Sequence, residues 1–377
     1  LEIPNLISVL SVGLTLLYIA VVISFIRGWD KLKTYTYKAH QPLAISVIIA
    51  ARNEAENIAN TIEDLLAQQY DKALLEIIFI DDHSTDGTGA VISSYAAQGV
   101  KLITLKEIDP INSYKKKAIQ TAIAEAKGEL IVTTDADCRM GVNWLKTIVS
   151  YYQQGGYKMI SSPVVYFEEA SLFERAQSLE FLFLIGMGAS TIGNGKPSTC
   201  NGANLAYERR AFHEVGGFAG IDDLASGDDE LLLHKMAAKY EHKIGFLKSK
   251  DAIVFTQAKP TLHAFIQQRK RWASKSTRYK NKSIIVLGVL VWLFNLSIIA
   301  NLVAGFFIHD LFLIALLQFV VKLLIEFLFL RKVTLFAGRP ELIKLLPLLN
   351  ILHIVYIVYI GIAGNSGKYS WKGRMVK

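Results

Sequence analysis

The sequence predicts an α/β domain built on a mostly parallel sheet and bracketed by membrane spans. Between residues 39 and 280, short β-rich apolar runs alternate with helical patterns, which is the signature of βαβ units. Two of those runs lead directly into carboxylates, Asp81-Asp82 and Asp135-Ala136-Asp137, as where a strand of an open sheet meets a ligand-facing loop. Long apolar stretches lie at both ends of the 377-residue chain and raise its apolar content to 52%.

Taken in order, Leu6–Ile26 is apolar and long enough to span a bilayer. It lacks a basic leading region and a small-residue cleavage site, so it reads as an anchor and not as a removable leader. Arg27, Lys31, Lys33 and Lys38 follow it, against Glu2 before it. The positive-inside rule then puts the globular domain in the cytoplasm, at the cell (inner) membrane. Residues 1–38 are thus an N-terminal transmembrane helix with its basic flank. Within residues 39–280 the first strand is Leu43–Ala50, leading into Arg52-Asn53-Glu54 and a helical pattern through Gln69. Leu74–Ile80 is the second, ending at Asp81-Asp82-His83-Ser84-Thr85-Asp86-Gly87-Thr88, where another helix begins. Val100–Leu105 is the third, Lys115–Ala126 is helical, and Leu130–Thr134 is the fourth strand.

Residues 281–377 form a C-terminal transmembrane region with a basic tail. Its spans are Ile284–Ile308, Leu311–Leu330 and about Leu345–Ala363, with His309-Asp310 as an external turn. Arg331, Lys332, Arg339 and Lys344 mark a cytoplasmic return. A third full crossing leaves Lys368, Lys372, Arg374 and Lys377 outside, so either the tail is external despite its charge or one segment is re-entrant. The net charge of +8 is concentrated beside the spans and reads as membrane-surface electrostatics, with no nucleic acid as partner. Two cysteines, Cys138 and Cys200, make no disulfide framework. Oligomeric state is not legible.

The chemistry-bearing residues fall into four groups. Asp135 and Asp137, two apart in extended chain, point to one side and offer hard oxygen donors for Mg²⁺ or Mn²⁺ together with substrate phosphates. Asp81 and Asp82 serve either as a turn beside a helix cap or as contacts to a nucleoside. Lys115 opens a Lys-Lys-Lys run that is either a solvated basic face or a diphosphate contact. Asp228 and Asp229 stand before an apolar helix, where they complement the helix dipole and where a general base could also sit. Gln268, Arg271 and Trp272 share one helix face, suited either to clamping phosphate and stacking on a sugar or to lying in a membrane interface. Leu172–Ile185 is either an amphipathic helix at the membrane face or a core helix. Inside the spans, Lys322 and Glu326 are at i, i+4. With Asn295, Asn301, Gln318, Asn350 and His353 they either pair structurally or line a polar groove for an acceptor headgroup.

In this order and spacing, these pieces resemble the membrane-integrated inverting glycosyltransferases of family 2, with a GT-A fold, over about Ser46 to Trp272. Asn53-Glu54 resembles the family's nucleotide-binding start, and Asp81-Asp82 its Asp-Asp-x-Ser element. Lys115 falls at the lysine of its Gly-Lys-x-x-Ala-Leu helix, with Tyr114 in place of the glycine. Asp135 and Asp137 match the Asp-x-Asp metal site, and Asn201 to Tyr207 resembles the acceptor-side segment before a Val-Gly-Gly-Phe turn, here Val215 to Phe218. Asp229 occupies the place of the base, with Asp228 replacing a Glu, and Gln268 to Trp272 matches Gln-x-x-Arg-Trp. The resemblance implies a nucleotide-sugar donor, with UDP favoured, bound by Asn53, Glu54, Asp81, Asp82, Lys115 and Asp135. It implies Mg²⁺ or Mn²⁺ at Asp135 and Asp137, and catalysis by Asp229, Asp228 and Arg271. It implies acceptor and diphosphate gating by Asn204, Gln268, Arg271 and Trp272. A single inverting displacement needs no Ser or Cys nucleophile, so Cys138 reads as a packing residue. The small number of spans favours a lipid or glycolipid acceptor over processive polysaccharide synthesis. A silent nucleotide-binding scaffold is the non-enzymatic rival.

Overall fold

The computed structural model describes residues 3–106, 113–279, 281–363, 369–371 and 374–376. In chain order the helices are α1 (Ile3–Lys31), α2 (Ile58–Leu66), α3 (Thr88–Ser94), α4 (Tyr114–Glu125), α5 (Trp144–Gly155) and α6 (Leu172–Gly193), then α7 (Arg209–Glu214), α8 (Glu230–Lys239), α9 (Leu262–Ser274), α10 (Lys282–Ala304), α11 (His309–Phe336) and α12 (Leu346–Ala363). The strands are β1 (Ile45–Ala51), β2 (Leu75–Asp81), β3 (Val100–Thr104), β4 (Leu130–Thr133) and β5 (Arg139–Met140), followed by β6 (Met159–Ser161), β7 (Val164–Tyr166), β8 (Leu205–Glu208), β9 (Ile244–Phe246) and β10 (Val254–Thr256). A terminal hairpin pairs β11 (Tyr369–Trp371) with β12 (Arg374–Val376).

The chain forms two compact units, each assembled from separated stretches. One comprises Lys31–Glu169, Thr191–Ala258 and Lys368–Lys377; the other comprises Leu1–Asp30, Ala170–Ser190 and Lys259–Gly367. The linear division expected at residues 38 and 280 therefore differs from the observed grouping, since residues 170–190 and 259–280 cluster with the apolar helices.

The first unit holds a seven-stranded sheet in the order β3-β2-β1-β4-β8-β6-β9. β1 is parallel to β2 and β4, and β2 to β3, which is the expected parallel core. These strands read as unbroken apolar runs because helices cover both faces of such a sheet, and Val47, Ile49, Phe79 and Val132 are fully buried. β8 runs antiparallel to both β4 and β6. A small second sheet has the order β5-β10-β7. The register sets Ala51 beside Asp81 and Ile48 beside Thr133. β1, β2 and β4 therefore end along one edge, with Asp81 and Asp135 on it.

In the other unit, four helices are long and apolar enough to cross a membrane: Asn5–Lys31, Lys282–Ala304, His309–Phe336 and Pro340–Ala363. By that measure the chain is a multi-pass membrane protein. His309 and Asp310 do not form the turn between the second and third. The chain reverses at residues 305–308, and His309-Asp310 opens α11, where Asp310 meets the positive end of the helix dipole. Gly305 permits that reversal, because a Cβ there would come within 2.7 Å of the Phe312 backbone. Asn301, Gln318, Lys322, Glu326 and Asn350 are buried and hydrogen-bond one another in two clusters, whereas Asn295 donates to the Val291 carbonyl of its own helix. Asn301 Nδ2 donates to Ser11 Oγ at 2.8 Å and to Gln318 Oε1 at 2.9 Å, while Glu326 accepts from Lys322, Tyr18 and Asn350. Structural pairing thus accounts for Lys322, Glu326, Asn301 and Gln318. On α6, Gln177, Ser178 and Glu180 are buried and face protein, while Glu174 and Arg175 in its first turn are half-exposed. Of the expected basic tail, Lys368, Lys372 and Lys377 lie outside the described residues.

Candidate active site

The edge of the sheet is built by two loops that lock onto each other. After β1 and β2 the chain turns through left-handed residues, Asn53 (φ 51°) and His83 (φ 54°). That conformation costs a non-glycine residue and recurs where structure over-determines it. Asn53 Oδ1 accepts from Thr85 N at 2.9 Å, Glu54 N donates to Thr88 Oγ1 at 2.8 Å, and Asp86 accepts from Ala55 N at 3.2 Å. Arg52, which the sequence reading did not single out, donates to the carbonyls of Asp82 and His83 at 2.8 Å each. Asp81 Oδ1 accepts from Ser84 N at 2.9 Å, and Asp82 Oδ1 lies 3.0 Å from His83 Nδ1. Both aspartates are buried. Asn53, Glu54, Asp81 and Asp82 thus form one rigid corner, and the His83 ring meets Tyr114 edge-on at 6.0 Å.

Tyr114 begins α4, and the next residue carries the central contact. Lys115 Nζ donates to Asp135 Oδ1 at 2.8 Å and lies 3.2 Å from Asp228 Oδ2. Burial alone would lower the Lys115 pKa, but Asp135, Asp228 and Asp229 outweigh it and raise it, so the ammonium stays charged. Asp229 caps α8: Oδ1 accepts from Glu230 N at 2.6 Å and Oδ2 from Gly202 N at 3.1 Å. Gly202 packs closely on the pair: a Cβ there would lie 3.3 Å from Asp228 Oδ2 and 3.4 Å from Asp229 Cβ, so a side chain would press the carboxylates aside by a few tenths of an ångström. Thr133 Oγ1 at the end of β4 donates to the Gly202 carbonyl at 3.1 Å, tying this segment to the strand that leads to Asp135.

Beneath the carboxylates Tyr207 is buried, and burial together with the Asp228 charge raises its pKa. In the Val215–Phe218 turn, Gly216 and Gly217 both have positive φ (72° and 48°), and a Cβ on Gly217 would come within 2.9 Å of the Phe212 ring. Only glycine fits that turn.

One expected site residue does not serve as expected. Asn204 is fully buried; its Nδ2 donates to the carbonyls of Pro163 (2.8 Å) and Ala252 (2.7 Å), and its Oδ1 accepts from Trp144 Nε1 at 3.0 Å. With both donors spent and no exposure, Asn204 is a structural staple and not an acceptor contact. Cys138 is likewise fully buried. Burial, with the charges of Asp137 and Asp135, pushes its thiol pKa up, as befits packing.

Gln268, Arg271 and Trp272 belong to the other unit, on α9. There Arg269, buried and paired with Glu180, lies over the Trp272 ring at 4.2 Å and donates to Gln268 Oε1 at 2.7 Å. Trp272 also meets Phe181 at 6.0 Å.

The carboxylates suit a divalent cation. Asp135 already draws an ammonium to 2.8 Å, and Asp137 adds a second hard oxygen donor. Among the described residues no group of three or more His, Cys, Asp or Glu could hold a metal by itself. A Mg²⁺ or Mn²⁺ ion shared with substrate phosphates needs only one or two carboxylates.

Residues 46–216 match the family model described as "Glycosyl transferase family 2". The beta-monoglucosyldiacylglycerol synthase of Synechocystis sp. is 24% identical over 233 residues, covering 61% of this chain and 47% of that protein. The poly-beta-1,6-N-acetyl-D-glucosamine synthase of Staphylococcus aureus is 25% identical over 245 residues, covering 61% of this chain and 53% of that protein. The chain spans about half the length of these curated relatives. Among solved structures, the mannosyltransferase PcManGT of Pyrobaculum calidifontis, in complex with GDP-Man and Mn²⁺, is similar with a TM-score of 0.57 at 18% identity, covering 93% of this chain and 99% of that one. This likeness establishes the fold as GT-A-like, with a mixed, mostly parallel sheet and long apolar helices.

Proposed function

We propose, from the match of residues 46–216 to the family model for glycosyl transferase family 2, that the chain is a membrane-bound inverting enzyme that moves a sugar from a nucleotide-sugar donor to the hydroxyl of a membrane lipid. The catalytic unit then works on the cytoplasmic side of the cell (inner) membrane, as the basic flank Arg27, Lys31, Lys33 and Lys38 implies. The observation that carries the proposal is the convergence of Asp135 and Asp228 on Lys115, with Asp229 fixed beside them through Gly202.

In this reading the corner of Asn53, Glu54, Asp81 and Asp82 holds the nucleoside, and Lys115 contacts the diphosphate. Asp135 and Asp137 would hold Mg²⁺ or Mn²⁺, which supplies positive charge against the leaving diphosphate. Asp229, held by the N–H groups of Glu230 and Gly202, takes the acceptor proton as general base. Asp228 helps Asp135 hold Lys115 in place. Inversion in one displacement leaves no covalent sugar on the protein. Gln268, Arg271 and Trp272 keep a gating role on the strength of their motif alone.

Similarity to the diacylglycerol-linked glucoside synthase supports a lipid acceptor, and similarity to the poly-N-acetylglucosamine synthase supports polymerisation as the second reading. The test offers the purified protein a panel of nucleotide sugars, UDP-sugars first, with Mg²⁺ or Mn²⁺ and total membrane lipid. A lipid carrying a single sugar, identified by mass spectrometry, supports the proposal. A ladder of sugars supports polymerisation. No turnover of any donor refutes both.

A further inference from the structure

Next to Lys115, a second lysine points the other way. Lys116 is 1% exposed, and its Nζ donates to three backbone carbonyls, Ile221 (2.6 Å), Leu224 (2.6 Å) and Ser226 (2.7 Å). These carbonyls lie in the irregular segment that runs from the Val215–Phe218 turn to Asp228 and Asp229. Ser113, just before α4, donates to the Asp222 carbonyl in the same segment. Gly220 (φ 78°) and Gly227 (φ 86°) mark its two ends, so the segment lacks a strand or helix of its own to fix its course. Backbone carbonyls buried away from water must find donors, and here one ammonium supplies three of them.

We propose that Lys116 is a positioning residue that sets where Asp228 and Asp229 stand, by holding the segment before them against the start of α4. This rests on the role given above to those two aspartates. Lys115 and Lys116 then divide one task. Lys115 joins Asp228 to Asp135 by charge, while Lys116 fixes the backbone that delivers Asp228. Because both lysines leave the same helical turn, the distance from Asp135 to the Asp228-Asp229 pair is set by α4 and not by the irregular segment.

The chemistry of the clamp has a pH signature. The carboxylates facing Lys116 are Asp228, Asp229, Asp223 and Asp222, but burial outweighs them and pushes its ammonium down to about 8. Above that pH the neutral amine keeps two N–H donors for three carbonyls.

The test uses the full-length protein in detergent, with Lys116→Met and Ser113→Ala. Hydrogen exchange over residues 219–229 reads the clamp directly and does not depend on activity. Exchange should rise in Lys116→Met and rise less in Ser113→Ala. Turnover should fall about 100-fold in Lys116→Met, the order lost when a catalytic group is misplaced by about 1 Å, with donor KM changed less than about threefold. Wild-type turnover should decline above about pH 8, and that limb should vanish in Lys116→Met. Unchanged exchange over 219–229, or a wild-type kcat in Lys116→Met, overturns the proposal. Should Lys116→Met fail to fold, Ser113→Ala decides: exchange over 219–229 equal to wild type overturns it. A wild-type protein that turns over no donor defeats the functional reading instead, and the exchange data still judge the clamp.

Discussion

Replacing Lys115 with methionine removes an ammonium that Asp135 and Asp228 share, and the sign of the result separates a diphosphate contact from a surface charge. The two carboxylate oxygens lie 2.8 and 3.2 Å from Nζ, so they stand no more than about 6 Å apart. Two negative charges at that distance repel by about 3 kcal/mol at an effective dielectric of about 20. Lys115 is 22% exposed, Asp135 39% and Asp228 13%, so solvent reduces that figure to about 1–2 kcal/mol. A more negative site binds a bare divalent cation more tightly, by about tenfold for about 1.4 kcal/mol. The same site holds a nucleoside diphosphate more weakly, because the anion has lost its ammonium. Titration calorimetry with Mn²⁺ alone, and then with UDP at saturating Mn²⁺, measures the two affinities. They should move in opposite directions in K115M, with turnover down about 100-fold or more as an electrostatic contact to the leaving group is lost. If UDP binds K115M as tightly as wild type and turnover is unchanged, Lys115 does not touch the diphosphate.

Asp229→Asn can still accept from Glu230 N at the cap of α8 but turns an amide NH₂ toward Gly202 N and cannot take a proton, so transfer should fall about 10²–10⁴-fold while donor affinity stays within a few-fold; equal losses in both would show a binding role. Gly202→Ala puts a Cβ 3.3 Å from Asp228 Oδ2 and should lower kcat by about tenfold or more through displacement of the carboxylates, with the unfolding midpoint almost unmoved; unaltered turnover would mean that the aspartates tolerate the shift. Glu180→Gln leaves the Arg269 guanidinium buried without its counter-charge, which should cost about 3–5 kcal/mol and lower the thermal midpoint in detergent; a midpoint equal to wild type would remove the pair as the anchor of α9. For Lys116 the proton linkage runs opposite to the activity. From about pH 8 to the ordinary lysine value of about 10.4, the unfolded chain holds more protons than the folded one, so this group's contribution to stability grows with pH. The difference in unfolding midpoint between wild type and Lys116→Met should therefore widen upward across that window, and a narrowing difference would contradict burial as the cause.

How much of this was legible in the sequence follows from what each residue contacts. β1 to β4 were legible because parallel strands covered on both faces are continuous apolar runs, and their acidic ends mark the edge of the sheet. Strands β5 to β10 are two to four residues long, too short to show a period, so the β8-β6-β9 side of the large sheet, where β8 alone runs antiparallel, and the small second sheet left no pattern to read. Asp135, Asp228 and Asp229 were legible as residue types at loop positions, but their convergence on Lys115 depends on the crossover from β4 to α8, which no local pattern encodes. Asn204 misled because a polar residue inside a motif looks the same whether its amide faces a ligand or, as here, Trp144, Pro163 and Ala252. The run Lys115-Lys116-Lys117 makes the limit plainest. Read as a string it is one basic patch, but successive helical residues turn by about 100°, which sends the first ammonium to the carboxylates and the second into the core, and leaves the third exposed. Charge count could not tell them apart; helix phase does, and the phase is fixed by the buried face of Ala118, Ile119, Ala122 and Ile123 further along α4.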